Sequence, residues 1–241
     1  MSLPPSLIDA ISEASSEVNA RRPLSEVLSN LAEMARRSLP GIDHVGISIT
    51  HRDGRIETVA ATDDLVLRLD ELQYELDEGP CLEAIRTEGV VVINHADRDQ
   101  RWPRFMERAT AMGLRSQMGV CLYADEESLG GLNLYATTAD EISRDLEQVA
   151  QLFASYAALA LGKARTTENL IEGMMTRQRI GVAIGILMHK YELDEDRAFR
   201  YLARVSQTSN IKLRQIADEI VDGENQRNAI PDGRPRGQRQ L

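Results

Sequence analysis

Apolar positions along the 241-residue chain follow two rhythms. Near the start, Leu7, Ile8, Ile11 and Val18 recur at helical spacing. A second helix restarts at Pro23-Leu24-Ser25, carries Leu28, Leu31 and Leu39, and stops at Pro40-Gly41. The period then shortens to two. His44–Thr50 alternates, Arg52-Asp53-Gly54-Arg55 supplies turn chemistry, and residues 56–60 return, which predicts a β-hairpin. A long acidic stretch over 63–78 has few turn signals, and Gly79-Pro80-Cys81 opens a short helix that reaches Arg86. Further strands are expected at 90–93, 117–123 and 129–135, with a helix at about 102–112 between the first two. The expected fold is α+β, an antiparallel sheet with flanking helices.

From Asp140 the pattern is helical throughout. Leu146, Val149, Phe153, Tyr156 and Ala160 repeat at alternating steps of three and four, the seam of helices that pack in parallel. They predict a connector that pairs with a second copy, or else a lone helix lying on the sheet. Residues 170–191 contain no proline, and Asp194 is placed to cap another helix that runs through Val205. A polar break at 206–210 precedes a last helix over 211–221, with Leu213, Ile216, Ala217 and Ile220 on one face and Gly223 able to end it. Residues 223–241, rich in Gly, Pro, Asn, Gln and Arg, are expected to form a disordered tail.

In the helix that ends at Tyr191, Ile180, Ala183, Ile184, Leu187, Met188 and Tyr191 form one apolar stripe, and Val182 and Ile186 form a second on nearly the opposite side. One partner cannot cover both, so Val182 and Ile186 join the expected dimer seam. Gly181 and Gly185 lie between the stripes, each disfavoured by about 1 kcal/mol relative to alanine in a helix interior. Either another helix packs tightly there, or a nucleobase or phosphate approaches the backbone.

Composition narrows the function classes. The chain is 42% hydrophobic and 27% charged, ordinary for a folded protein, and its two cysteines and four scattered histidines offer no disulfide framework and no metal-ligand spacing. There is no basic, apolar leader and no apolar run of spanning length, which predicts a cytoplasmic protein. The formal charge of -10 hides a split: residues 1–162 hold 14 arginines against 27 acidic residues, while residues 163–241 hold 14 basic residues against 11 acidic and contain every lysine. The last third therefore tolerates a polyanion better than the rest does. Arg197, Arg200 and Arg204 form a row opposite Ala198, Leu202 and Val205, with Phe199 at the edge. Together with Arg177, Arg179, Lys190, Lys212 and Arg214 they can build a basic surface, although residues 170–222 carry eight basic and eight acidic groups.

Three blocks carry a family resemblance: Ala183-Ile184-Gly185-Ile186-Leu187-Met188; Ala198-Phe199-Arg200-Tyr201-Leu202 with Ser206 four residues on; and Asn210-Ile211-Lys212-Leu213 leading to Ala217. In order and separation they resemble the ANTAR domain over about 50 residues. The resemblance implies a three-helix RNA-binding unit that works in pairs, recognises two adjacent hairpins with small loops in nascent transcripts, and prevents a terminator from forming. Ile184 departs from the pattern, standing where the family often has a basic residue. Unpaired loop bases are usually gripped by stacking and polar edge contacts, with basic side chains on flanking phosphates. Arg200, Arg204, Lys212 and Arg214 suit the phosphates; Ala183, Gly185, Ser206 and Asn210 suit close approach to a base, while Ser206 and Asn210 equally suit capping across the break. Phe199 and Leu202 are expected to be core.

Upstream, Gly79-Pro80-Cys81, Arg101-Trp102-Pro103 and Gly130-Gly131-Leu132-Asn133-Leu134-Tyr135 resemble the GAF sensory fold. That resemblance implies a pocket between the sheet and lid helices, holding a small ligand or nothing; the cyclic-nucleotide pattern of the family is absent. The expected organisation is a GAF-like domain with its N-terminal helices and connector at 1–162, a helical linker at 163–169, an ANTAR unit at 170–222 and the tail at 223–241. The expected function is a dimeric RNA-binding antitermination regulator with a sensor input, with no cofactor, no metal and no catalytic role. The alternatives are a DNA-binding regulator, a ligand- or redox-sensing interaction module, and an enzyme on the sensor fold using Cys81 or Cys121, such as a sulfoxide reductase.

Overall fold

The protein, seen in a computed structural model, is described over residues 5–124 and 127–229. The chain divides into two units, residues 1–165 and 166–241.

The first unit begins with α1 (Pro5–Asn19) and α2 (Leu24–Ser38) and continues through β1 (His44–Thr50), β2 (Ile56–Ala61), α3 (Asp64–Leu76), α4 (Pro80–Thr87), β3 (Val90–Ile93), α5 (Pro103–Ala111), β4 (Ser116–Ala124) and β5 (Glu127–Ala136). The side chains of Leu7 and Ile8, expected to mark the first helix, lie outside the described residues. The five strands form one sheet in the order β2-β1-β5-β4-β3, every neighbouring pair antiparallel. The hairpin forms at the expected place, with Gly54 at φ 84° in its turn and the Asp53 carboxylate accepting from Arg55 N at 3.0 Å. The acidic stretch left without an element is α3: Asp63 caps it, accepting from Leu65 N and Val66 N, and Val66, Leu69 and Leu72 are buried beneath its charged face.

Alternation along the strands gives the sheet two unlike faces. Val45 and Ile47 of β1, Met118, Val120 and Leu122 of β4, and Leu132 and Leu134 of β5 join Val27, Leu28, Leu31 and Ala35 of α2 in one apolar cluster. The opposite face carries Ser48, Gln117, Gly119, Gly131, Asn133 and Tyr135 and is covered by α3, α4 and α5, with a second cluster around Val66, Leu69, Phe105 and Ala109.

The last three helices are α6 (Arg144–Tyr191), α7 (Glu195–Ser209) and α8 (Leu213–Ala229). The segment expected as a helical linker, 163–169, is helical and lies within α6, which runs unbroken through it. Two expectations need correction. Phe153 and Ala160 of the expected dimer seam are buried in the first unit's own apolar cluster, and Leu146, Val149 and Tyr156 pack against it. A three-four repeat marks any buried helix stripe, whether a sheet or a second helix covers it. The tail expected from Gly223 is helical as far as Ala229, since Glu224-Asn225-Gln226-Arg227 tolerate helix and one glycine does not stop it; residues 230–241 lie outside the described residues. Among the described residues no helix is long and apolar enough to cross a membrane, and no group of His, Cys, Asp and Glu could hold a metal ion.

Candidate nucleic-acid interface

The second unit is built around Ala183 and Leu187 of α6, Ala198 and Leu202 of α7, and Ile216, Ala217 and Val221 of α8, all buried. Alanines 183, 198 and 217 are fully buried, and their small side chains let three helix backbones approach. Asp194 starts α7 by accepting from Arg197 N at 2.8 Å. Asn210 ends it in the left-handed region at φ 56°, and the Ser206 hydroxyl donates to Ile211 O at 2.6 Å, tying α7 to the connection that leads into α8. Arg179 bridges α6 to α8 through Asp218 at 2.7 Å and Asp222 at 2.6 Å, and those carboxylates raise its already high pKa.

The eleven residues expected to meet RNA therefore separate into two sets. Ala183, Arg179, Ser206 and Asn210 are engaged inside the unit: one is core, one is an inter-helix clamp, and two shape the α7–α8 connection. Ala183 has no surface to offer a base, so that expectation is corrected. Arg177, Gly185, Lys190, Arg200, Arg204, Lys212 and Arg214 are exposed. Arg200 Nε donates to Asp196 O at 3.2 Å, within its own helix. Arg177, Lys190, Arg200, Arg204, Lys212 and Arg214 make no ion pair with a carboxylate among the described residues. Leu202 is core as expected. Phe199 is not: it is 47% exposed.

The glycines settle one ambiguity. A Cβ added at Gly181 or Gly185 would meet nothing within 4 Å, so no helix among the described residues packs on them. Gly185 instead lines a groove of about 660 Å³ together with Val182, Ile186, His189, Lys190, Glu224 and Arg227. This groove joins two expected RNA residues to both of the expected outer seam residues. Sequence reading missed His189, Glu224 and Arg227. His189 stands four positions after Gly185 and could have been found by that spacing, whereas the α8 wall was hidden by the assumption that Gly223 ends the helix.

On the polar face of the sheet in the first unit, the Asp70 carboxylate is fully buried and accepts from Tyr135 OH, from Thr58 Oγ1 at 2.7 Å and from Asn133 Nδ2 at 2.9 Å. Burial outweighs these three donors and raises its pKa to about 6. Gln73 donates to Tyr135 OH at 3.0 Å, and its carbonyl accepts from Cys81 N at 2.9 Å and Gln117 Nε2 at 3.4 Å. Cys81 is buried, 3.7 Å from Ser48 Oγ, with its thiol pushed up to about 12 by burial. Cys121 is also buried and raised, 3.2 Å from Ser128 Oγ. Reactive cysteines are exposed thiolates with lowered pKa, and neither sulfur meets that description.

Residues 168–221 match the ANTAR domain family, and residues 21–162 match the GAF domain family. Among solved structures, the GAF domain of an Acinetobacter phosphoenolpyruvate-protein phosphotransferase superposes with a TM-score of 0.54 at 16% identity, over 69% of this chain and 99% of that one. The GAF domain of a phosphoenolpyruvate-protein phosphotransferase from Coxiella burnetii gives 0.55 at 17%, over 68% and 97%. The phycoerythrobilin-bound GAF domain of a cyanobacterial phytochrome gives 0.54 at 15%, over 70% and 100%. At these identities the likeness is one of fold. No curated protein matches the chain.

Proposed function

We propose, from the premise that this chain belongs to the GAF domain family and carries an ANTAR domain behind the GAF domain, that it is a dimeric RNA-binding antitermination regulator whose RNA target is a pair of adjacent hairpin loops. The ANTAR match, which spans the end of α6, all of α7 and the first part of α8, carries the reading. The distribution of charge supports it: Asp218 and Asp222 of α8 are spent on Arg179 and Glu224 on Arg227, while Arg177, Lys190, Arg204, Lys212 and Arg214 keep their charge available for phosphate. Both domains are regulatory, and no reaction is assigned to the chain.

The partner in dimerisation is a second copy that meets the apolar face of α6 beyond the first unit's core. Leu170 and Met174 are 64% and 69% exposed there, and Ile171, Met175 and Val182 are exposed beside them. These residues replace Phe153 and Ala160 as the seam. The sensor input reaches the RNA-binding unit through α6, which belongs to both units, by favouring one of two helix arrangements with different RNA affinity.

Titration of the full chain with a twin-hairpin RNA and with a duplex DNA of equal charge tests the target. The RNA is expected to bind at least about tenfold more tightly, and equal affinity overturns the reading. Salt dependence tests the surface: Arg204→Gln is expected to lower the slope of log affinity against log salt by about 0.7, the loss of one phosphate contact on single-stranded nucleic acid, whereas Arg179→Gln leaves the slope unchanged.

A further inference from the structure

The second unit holds an aromatic pair that its packing does not use. Tyr191 is the last residue of α6, and Glu192 then turns the chain in the left-handed region at φ 52°. Leu193 is drawn into the core, its N–H donating to Met188 O at 3.2 Å, and α7 starts within one more residue. This return places Tyr201 beside Tyr191, with ring centroids 6.3 Å apart and planes tilted by 34°. Both rings are about half exposed, 53% and 49%, and neither hydroxyl has a partner among the described residues. The contrast with Tyr135 is sharp: that ring is fully buried and its hydroxyl is bonded to Asp70 and Gln73. A half-exposed aromatic pair offers flat apolar surface to solvent, and contact between the two tilted rings helps to hold each in place.

The charges around the pair select what can lie on it. Lys190 Nζ lies over the Tyr191 ring, 5.6 Å from its centre. Arg197 and Arg204, four residues before and three residues after Tyr201, flank it along the same helix face. Arg197 is held by Asp194 at 3.4 Å, and Arg204 pairs with no carboxylate among the described residues. An aromatic pair with one cation over a ring and others along the same helix fits a planar heterocycle that carries a phosphate on either side: the phosphate draws Lys190 off the ring and the base takes its place. Paired bases keep their faces inside the duplex, so only an unpaired base can present one.

We infer that Tyr191 and Tyr201 form a stacking platform for an unpaired RNA base, with Lys190 and Arg204 on the phosphates that flank it. This inference rests on the RNA-binding reading and deepens it: the pair supplies the preference for loops over duplex, which the basic residues alone cannot give. Any base has a face to stack, so the platform recognises single-strandedness, and sequence choice falls to edge contacts elsewhere.

The test uses the full chain and a twin-hairpin RNA in which 2-aminopurine replaces one loop position at a time. Binding to the natural protein is expected to quench the fluorescence of at least one loop position. The Tyr191→Leu/Tyr201→Leu double variant removes the rings and keeps apolar side chains at both positions; it is expected to bind the RNA about 10- to 100-fold more weakly and to lose that quench, with its helical circular dichroism and melting midpoint unchanged. Tyr191→Phe/Tyr201→Phe is expected to retain both affinity and quench, because stacking needs the ring and not the hydroxyl. A natural protein that binds the RNA without quenching any loop position overturns the platform while the RNA reading stands, and this holds even if the leucine variant fails to fold. Unchanged affinity in a folded leucine variant overturns it as well, as does a variant that falls apart into monomers while each protomer binds RNA as before. Absence of RNA binding by the natural protein overturns the function proposed above and the platform with it.

Discussion

In the first unit a Cβ built on Gly119 would lie 2.6 Å from Pro80 O, one on Gly130 1.9 Å from Ser48 O, and one on Gly46 2.5 Å from Val66 Cγ1. In the second, a Cβ on Gly173, Gly181, Gly185 or Gly223 would touch nothing within 4 Å. The same residue answers two different demands. Gly119 lets the backbone of α4 rest on β4, and Gly130 lets β5 pass against β1 at φ 152°, so the fold itself requires them. The glycines of the second unit weaken helices and give no internal contact in return. Among the described residues nothing fills the space beside them, and that contrast separates a unit whose glycines are closed in by its own backbone from one whose glycines stand open.

The largest effect is expected from closing the first kind of gap. Gly119→Ala places a methyl against backbone that cannot yield, and should destabilise the first unit by about 3 kcal/mol or more, visible as a lower denaturant midpoint. A tolerated alanine there would mean that α4 is not held on the sheet and would erase the contrast.

A comparable effect follows from the buried carboxylate. The folded pKa of Asp70, about 6, lies above its ordinary value of 3.8, so the folded state binds this proton more tightly than the unfolded state does. Its contribution to the first unit's stability is therefore full below about pH 4, falls as pH rises through 6, and is gone above about pH 7, a total of about 3 kcal/mol. Tyr74, Tyr135 and Cys81 also face this group, and burial raises all three out of the range, so they stay neutral throughout it. Carboxylates with lowered pKa, such as Glu33 at about 2, act in the opposite sense and only at lower pH. Asp70→Asn should flatten denaturation midpoints between pH 4 and 7; an unchanged slope would assign the dependence to another group.

The smallest change in stability should be the most telling. Gly185→Ala is expected to strengthen α6 by up to about 1 kcal/mol, since the added methyl meets open space. It should nonetheless weaken binding of the twin-hairpin RNA, because the methyl narrows the groove beside Lys190. A variant that is more stable and binds as before would show that the open glycines serve nothing outside the chain.

How far the sequence anticipates this molecule depends on whether a signal is local. The β1–β2 hairpin, the short helix after Gly79 and the cap at Asp194 follow from neighbouring residues alone and stand where the spacing predicts. The α3 helix was missed because acidic residues dominate its surface, although Val66, Leu69 and Leu72 kept the helical step. The seam residues were legible as a buried stripe, but periodicity does not name what buries it, and for Phe153 and Ala160 it is the first unit's own core. In the candidate interface, residue type identified the basic groups. It could not separate Arg179 from Arg177, because the difference lies in Asp218 and Asp222, some forty positions along the chain. The Tyr191–Tyr201 pair has no signature of its own, since it depends on the sharp return at Glu192.

Gln73 reaches β5 through Tyr135, β4 through Gln117 and the start of α4 through Cys81, and it can do so because Gly79 has no side chain: a Cβ there would lie 2.4 Å from its Oε1. One amide thus latches three elements, and none of them can swing away alone. Displacing any one of the three therefore costs that amide a hydrogen bond inside a buried, polar layer, away from the solvent that would otherwise replace it.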